Sequence, residues 1–327
     1  MNLAGVHPAG YFKMRRIGRS MALGRRGLGV SSTRNDGFSL DFSDTVVSEE
    51  ALRVAREIRG ERPPTLIIHG VMQRSGTNYT GELLRLHPNL YGYPNKITEV
   101  PFLQLTKDII HTQNHFFQIH IQNSDKIGNK DFLPLFGASF IAYLYSFVPA
   151  GRRMLLKVPS VEYLKYFFSM FPYETPLLLL RDGRDLVTST INTWPQKRFE
   201  DVCRSWVDSA KMVLAFQKHY PEENYNYITI KYEDIVSDPD SFITTACERY
   251  SLDRTMYPYG KIKDLPVIGS STIGKEGKEV VWKGVSKPKD FNPVGQWGNW
   301  SSRQKRIFKD IAGKALVETA YCADFNW

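Results

Sequence analysis

Apolar residues in this chain gather into short unbroken runs, and the stretches between them carry a helical period. Runs at 65–69, 154–158, 177–180 and 227–231 are rich in Leu, Ile, Val or Tyr and are bounded by Gly, Pro or charge. A shorter extended piece is expected at 90–93. Brief continuous runs, as opposed to alternation, mark strands covered on both faces. Helical patterns occupy about 161–171, 184–193 and 199–218. An earlier helix opens at Ser48-Glu49-Glu50, with a serine N-cap and acids in its first turn. Ala51, Val54, Ala55 and Ile58 supply its apolar face, and Gly60 ends it. Asp238-Pro239 starts another helix with Pro at its first position, and Ser301 with Gln304 forms a capping-box pattern for the last. Strands alternating with helices predict an α/β fold of three layers, a central mainly parallel sheet with helices on both faces. The stretch 100–150 is aromatic and irregular, with Phe116, Phe117, Phe132, Phe136, Phe140 and Tyr143 among its rings. Such rings either line a cleft or pack helices together, and packing is the commoner use. Residues 260–300 read as loop, with Gly and Pro throughout.

Charge divides the chain unevenly. Residues 1–35 hold seven Lys or Arg and no acid, so of the net +9 only +2 belongs to the rest. This predicts a basic, partly disordered N-terminal extension over 1–47 and a single folded domain over 48–327. The body is not a basic nucleic-acid binder. The arm is suited at most to weak contact with an anionic membrane or an acidic ligand. No run approaches the eighteen or so apolar residues of a membrane span, and Cys203, Cys247 and Cys322 lack metal or pairing spacing. A cytoplasmic location, at most peripheral at a membrane surface, is the expectation.

The chemistry concentrates where the first run ends. Leu66-Ile67-Ile68-His69-Gly70 leads through Val71-Met72-Gln73-Arg74-Ser75-Gly76-Thr77-Asn78 into a helix with Tyr79, Leu83 and Leu86 at i, i+4, i+7. Strand, tight turn and helix start point backbone N–H groups and a helix dipole at one anion. Gly70 and Thr77 keep the outer spacing of the nucleotide-triphosphate loop, but Ser75 and Gly76 stand where that motif needs Gly and Lys. The cation lies inside the loop instead, as Arg74. A second cation, Arg181, ends the run of four leucines at 177–180. Ligands of open α/β sheets bind beyond the carboxyl ends of strands, and a guanidinium fork suits a phosphate there. Asp182, Arg184 and Asp185 are placed to brace that turn.

In these two segments the chain resembles the sulfotransferases that use 3′-phosphoadenosine 5′-phosphosulfate (PAPS), which carry an [KR]-S-G-T loop and, about a hundred residues on, a strand-terminal Arg with a Ser eight residues later. Here these are Arg74-Ser75-Gly76-Thr77 and Arg181 with Ser189. The resemblance spans most of the chain from about residue 65. It implies a P-loop-NTPase-like fold and PAPS as co-substrate, with no metal. It also implies a hydroxyl or amine acceptor on a small molecule, glycan or lipid. By position it assigns Arg74, Ser75, Gly76, Thr77 and Asn78 to the 5′ end of the cofactor, and Arg181 and Ser189 to its 3′-phosphate. Lys157, in Lys157-Val158-Pro159, matches a K-x-P whose lysine stands near the transferring group. Glu99 falls where the carbohydrate and tyrosyl branches carry their base, with His111, His115 and His120 as rivals. Tyr232, in Tyr232-Glu233-Asp234, matches a tyrosine beside the adenine. Ser271 and Gly295, in Gly269-Ser270-Ser271 and Gly295-Gln296-Trp297, match elements that fold back over the nucleotide. The cytosolic branch's R-K-G-x-x-G and its dimerisation motif are absent, which leaves Lys287 or Lys289 as a further 3′-phosphate cation and oligomeric state open. A P-loop phosphotransferase and a noncatalytic adenosine-phosphate binder are the other readings of the same residues.

Overall fold

The structure is a computed structural model that describes residues 36–327 apart from Gly274, Gly277, Lys278 and Val281. The expectations for residues 1–35 therefore lie outside the described residues. In chain order the main elements are α1 (Glu49–Arg59), β1 (Leu66–Gly70), α2 (Thr77–Arg85), β2 (Leu90–Gly92), α3 (Thr106–Ile119), α4 (Phe132–Tyr145) and β3 (Arg153–Val158). They continue as α5 (Phe167–Met170), β4 (Thr175–Leu180), α6 (Gly183–Thr193), α7 (Phe199–His219), β5 (Ile228–Lys231), α8 (Tyr232–Ser237), α9 (Pro239–Arg249) and α10 (Ser302–Glu318). The five strands form one sheet in the order β2-β3-β1-β4-β5, and every pairing is parallel.

The apolar runs are continuous because both faces of the sheet are covered. Successive side chains on a strand point to opposite faces, so each run feeds two cores. Ile67, Leu156, Val158, Leu178 and Leu180 enter one core with α4, α7 and α10, whose Ile141, Trp206 and Phe308 are buried there. Leu66, Ile68, Leu155, Leu177 and Leu179 enter the other, with Leu83 and Leu84 of α2 and Phe242, Ile243 and Ala246 of α9. The fold is the three-layer, P-loop-like α/β arrangement.

Helix ends follow their residues. Ser48 accepts from the Ala51 N–H, and the capping box of Ser301 and Gln304 opens α10. Two stretches differ from the sequence expectation. Instead of one helix over 161–171, a 3-10 turn at Leu164–Tyr166 leads into the four-residue α5, because Tyr163 takes a left-handed φ of 58° that interrupts the helix. Residues 36–47, grouped by sequence with the N-terminal extension, pack on the body. Phe42 stacks on His219 at 4.6 Å, the Lys165 ammonium donates to the Asp41 carbonyl at 2.6 Å, and Tyr166 donates to Asp44. Among the described residues, no helix is long and apolar enough to cross a membrane.

Candidate active site

The turn between β1 and α2 is built from three tight requirements. The Val71 N–H continues the sheet by donating to the Leu179 carbonyl at 2.9 Å. Ser75 turns inward, and both its N–H and its hydroxyl donate to the Met72 carbonyl. Gly76 caps α2 at φ 96°, where a Cβ would run into the Tyr232 ring and still lie only 3.0 Å from its Cγ. Only glycine combines that torsion with that contact. The α2 N-terminus is left facing a cavity of about 810 Å³ walled by the turn after β1 and by residues at the carboxyl ends of β3 and β4.

Two arginines dominate one side of this cavity. Arg74, itself at φ 75°, donates from Nε to Ser189 Oγ at 3.1 Å and from Nη2 to the Gly269 carbonyl at 2.6 Å. Burial, and after it the charge of Arg181, pull its guanidinium down to about 10, so it stays charged at neutral pH. Arg181, buried at the end of β4, donates from Nη1 to the Arg74 carbonyl at 2.6 Å and from Nη2 to the Pro293 carbonyl at 2.8 Å. Its guanidinium lies 4.8 Å from the Tyr232 ring centroid, and its buried Nε has no hydrogen-bond partner. Ser189 Oγ is 3.2 Å from Ser271 Oγ, so Arg74, Ser189 and Ser271 form one polar chain.

The bracing groups behave as their spacing predicts. Asp182 caps α6 by accepting from the Arg184 N–H, and it pairs with the Arg184 guanidinium at 2.7 Å. Asp185 accepts from the N–H groups of Gly295 (2.7 Å) and Trp297 (3.3 Å), which pins the 293–297 segment over Arg181. Gly295 thus holds the covering segment and, like Ser75, does not line the cavity wall. Lys287 lines it and Lys289 does not.

The other side of the cavity holds Lys157, at the end of β3. Its ammonium donates to Asn78 Oδ1 at 2.6 Å and lies 3.9 Å from Glu99 Oε1. Burial lowers its pKa, against the opposing effect of Glu99 and then Glu82. The Glu99 side chain is half exposed on the loop before α3, and it borders the cavity. His111, His115 and His120 are exposed on and just after α3, away from the cavity wall. The aromatic stretch 100–150 lends no residue to that wall. It packs instead, with Phe102 stacked on Phe140 at 4.3 Å.

Several lining residues escaped the sequence reading, Glu82, Arg85 and Tyr93 among them. Asn78, Glu82 and Arg85 recur at i, i+4, i+7, a polar stripe on a helix whose other residues include the buried Leu83 and Leu84. That stripe was the available signal.

A parallel sheet with a glycine turn, a helix N-terminus and two inward arginines at its strand ends defines an anion-binding, P-loop-like α/β enzyme. More specifically, the sulfotransferase family profile matches residues 64–255, and the chain belongs to that family. Solved structures similar to it include the sulfotransferase domain from the curacin biosynthetic pathway, at 15% identity over 78% of this chain and 98% of that one, with a TM-score of 0.47. Others are mouse sulfotransferase SULT7A1 complexed with PAP (12%, 85% and 92%, 0.46) and the sulfotransferase from Alicyclobacillus acidocaldarius (13%, 80% and 96%, 0.47). No curated protein matches the chain by sequence.

Proposed function

We propose that this sulfotransferase moves the sulfuryl group of PAPS, by in-line displacement, to a hydroxyl or amine of a small-molecule, glycan or lipid acceptor. The observation that carries the reading is that one cavity gathers Arg74, Arg181, Ser189 and Ser271 on one side and Lys157 with Glu99 on the other. The residues fit the nucleotide. Arg181 has a buried Nε without a partner and its other hydrogen bonds go to neutral carbonyls, while those of Arg74 go to a carbonyl and the Ser189 hydroxyl. A phosphate competes well with such acceptors, since hydrogen bonds between ionised partners are roughly twice as strong.

PAPS supplies the sulfuryl group when bound. Arg181, Ser189 and Ser271 bind the 3′-phosphate, and Tyr232 flanks the adenine. Arg74, the N–H groups at the start of α2, Thr77 and Asn78 hold the 5′ end. Lys157 neutralises charge on the departing phosphate, a role worth most in a site shielded from water. Glu99 takes the acceptor's proton as general base.

Isothermal titration with 3′-phosphoadenosine 5′-phosphate (PAP) and an acceptor screen with labelled PAPS test the reading together. Replacing Glu99 by Gln should abolish transfer while leaving PAP affinity intact. Unchanged transfer would remove Glu99 from the mechanism.

A further inference from the structure

Lys157 is straddled by a single loop. After β2 the chain passes through Tyr93, Pro94, Asn95 and Lys96 to Glu99, and the Val100 N–H then donates to the carbonyl of Lys157 itself at 3.2 Å. Glu99 thus stands 3.9 Å from the Lys157 ammonium at one end of the loop. At the other end the Tyr93 ring centroid lies 5.9 Å from that ammonium and 5.6 Å from the Arg85 guanidinium. The Tyr93 hydroxyl donates to Glu82 Oε1 at 2.7 Å, and Arg85 occupies Glu82 Oε2. With both oxygens engaged and only 7% of the residue exposed, the Glu82 carboxylate is held in one place.

We infer that Tyr93 is a positioning residue for sulfuryl transfer: its ring carries the Lys157 ammonium while its hydroxyl locks Glu82 opposite. The inference rests on the reading of Lys157 and Glu99 given above. Its backbone supports it. Tyr93, Asn95 and Lys96 take φ values of 57°, 49° and 64°, three left-handed non-glycine residues within four positions. Such torsions persist only where the surroundings over-determine them, and they concentrate at working sites.

The arrangement answers a problem of charge. Once Glu99 has accepted a proton it no longer offsets the ammonium, at the moment when charge on the leaving phosphate most needs a cation. The groups facing Lys157 are Glu99 from the loop, Tyr93 from its strap, and Asn78, Glu82 and Arg85 from α2. Among these Glu82 is the carboxylate held by hydrogen bonds from two side chains, Tyr93 and Arg85, and Tyr93 keeps it in place. Cation–π contact with the ring favours the same protonated form.

The test reads Lys157 directly, without nucleotide or acceptor. The full-length protein is labelled with acetic anhydride across a pH series, and the Lys157 peptide is quantified by mass spectrometry. Glu82→Gln and Tyr93→Leu should each move the labelling midpoint of Lys157 to lower pH, and Tyr93→Phe, which keeps the ring, should move it less. Release of PAP from PAPS by the same variants should then fall about tenfold for each pH unit moved on the alkaline side of the profile, with PAP affinity held within about threefold. Midpoints equal to the wild type in Glu82→Gln and Tyr93→Leu overturn the inference. If Tyr93→Leu does not fold, Glu82→Gln and Tyr93→Phe decide. A wild-type protein that neither binds PAP nor releases it from PAPS sinks the sulfotransfer reading instead, and the labelling midpoints still rule on Tyr93.

Discussion

Replacing Gly76 by Ala should damage stability and nucleotide binding together, and the structure says by how much. Gly76 sits at φ 96°, and its added methyl would overlap the Tyr232 ring, with the ring's Cγ at 3.0 Å. The left-handed torsion alone costs a non-glycine residue about 1–2 kcal/mol. Forcing a methyl into a packed ring adds roughly 1–3 kcal/mol. Tyr232 has little room to yield, since it lies edge-on to Tyr79 at 6.3 Å and under the Arg181 guanidinium at 4.8 Å. The sum is about 2–5 kcal/mol, which in a domain of this size lowers Tm by on the order of 10 °C. Gly295 provides the internal control. Its φ is 79°, yet no atom lies within 4 Å of an added Cβ, so Gly295→Ala carries only the torsional part, about 1–2 kcal/mol. Thermal unfolding of both variants, followed by titration of Gly76→Ala with PAP, is the assay. A ring pushed off Gly76 carries Arg181 with it, so PAP should bind at least about tenfold more weakly, or about 1.4 kcal/mol. Equal Tm losses at the two glycines would show that Tyr232 does not press on the turn, and would refute the reasoning.

Two further outcomes follow from the same geometry. Arg181→Lys keeps the charge but loses the fork that reaches the Arg74 and Pro293 carbonyls while leaving Nε free. At about 1.5–3 kcal/mol for a hydrogen bond to a charged group, PAP affinity should drop roughly ten- to a hundredfold by titration, and an unchanged affinity would take Arg181 out of the phosphate site. His69, buried in β1 with Nδ1 3.0 Å from the Ser160 carbonyl, has its pKa lowered by burial to about 4 from its ordinary 6.5. The unfolded chain therefore binds more protons between those values. Stability from this group is complete above about pH 6.5 and is lost as pH falls towards 4, by up to about 3 kcal/mol. Urea unfolding across that range should show the decline in the wild type and a flatter profile in His69→Gln; matching profiles would exclude His69 as the cause.

What could be read from sequence divides along physical lines. Strand interiors were legible because burial on both faces demands unbroken apolar runs, and the observed strands coincide with the expected ones to within about two residues. Turn chemistry was legible where a residue type is obligatory, as at Gly76 or at the Asp182 cap. The strap was not, because Tyr93, Asn95 and Lys96 adopt left-handed torsions without any glycine to announce them. The break at Tyr163 was hidden for the same reason. The rings of 100–150 were ambiguous because helical spacing looks alike whether a face packs or lines a cleft. Here Phe102 stacks on Phe140, and Phe116 packs at a tilt beside Phe132 at 5.8 Å, instead of facing the cavity.

Strand order completes the site, and it is the one component that no local pattern contains. Gly70, Lys157 and Arg181 each end a strand, but those strands are far apart in sequence. The sheet order puts β1 between β3 and β4, with His69 in register with both Val158 and Leu178. Neighbouring strands lie about 4.8 Å apart, so the glycine turn is necessarily flanked by Lys157 on one side and Arg181 on the other. The chain leaves β1 towards β2, beyond β3, and later crosses to β4 on the opposite side. A crevice opens where the winding changes direction, at the carboxyl ends of the strands. An anion seated on the α2 N-terminus would therefore meet a cation from each neighbouring strand, Lys157 on one side and, on the other, Arg181, over which Asp185 ties down the 293–297 segment.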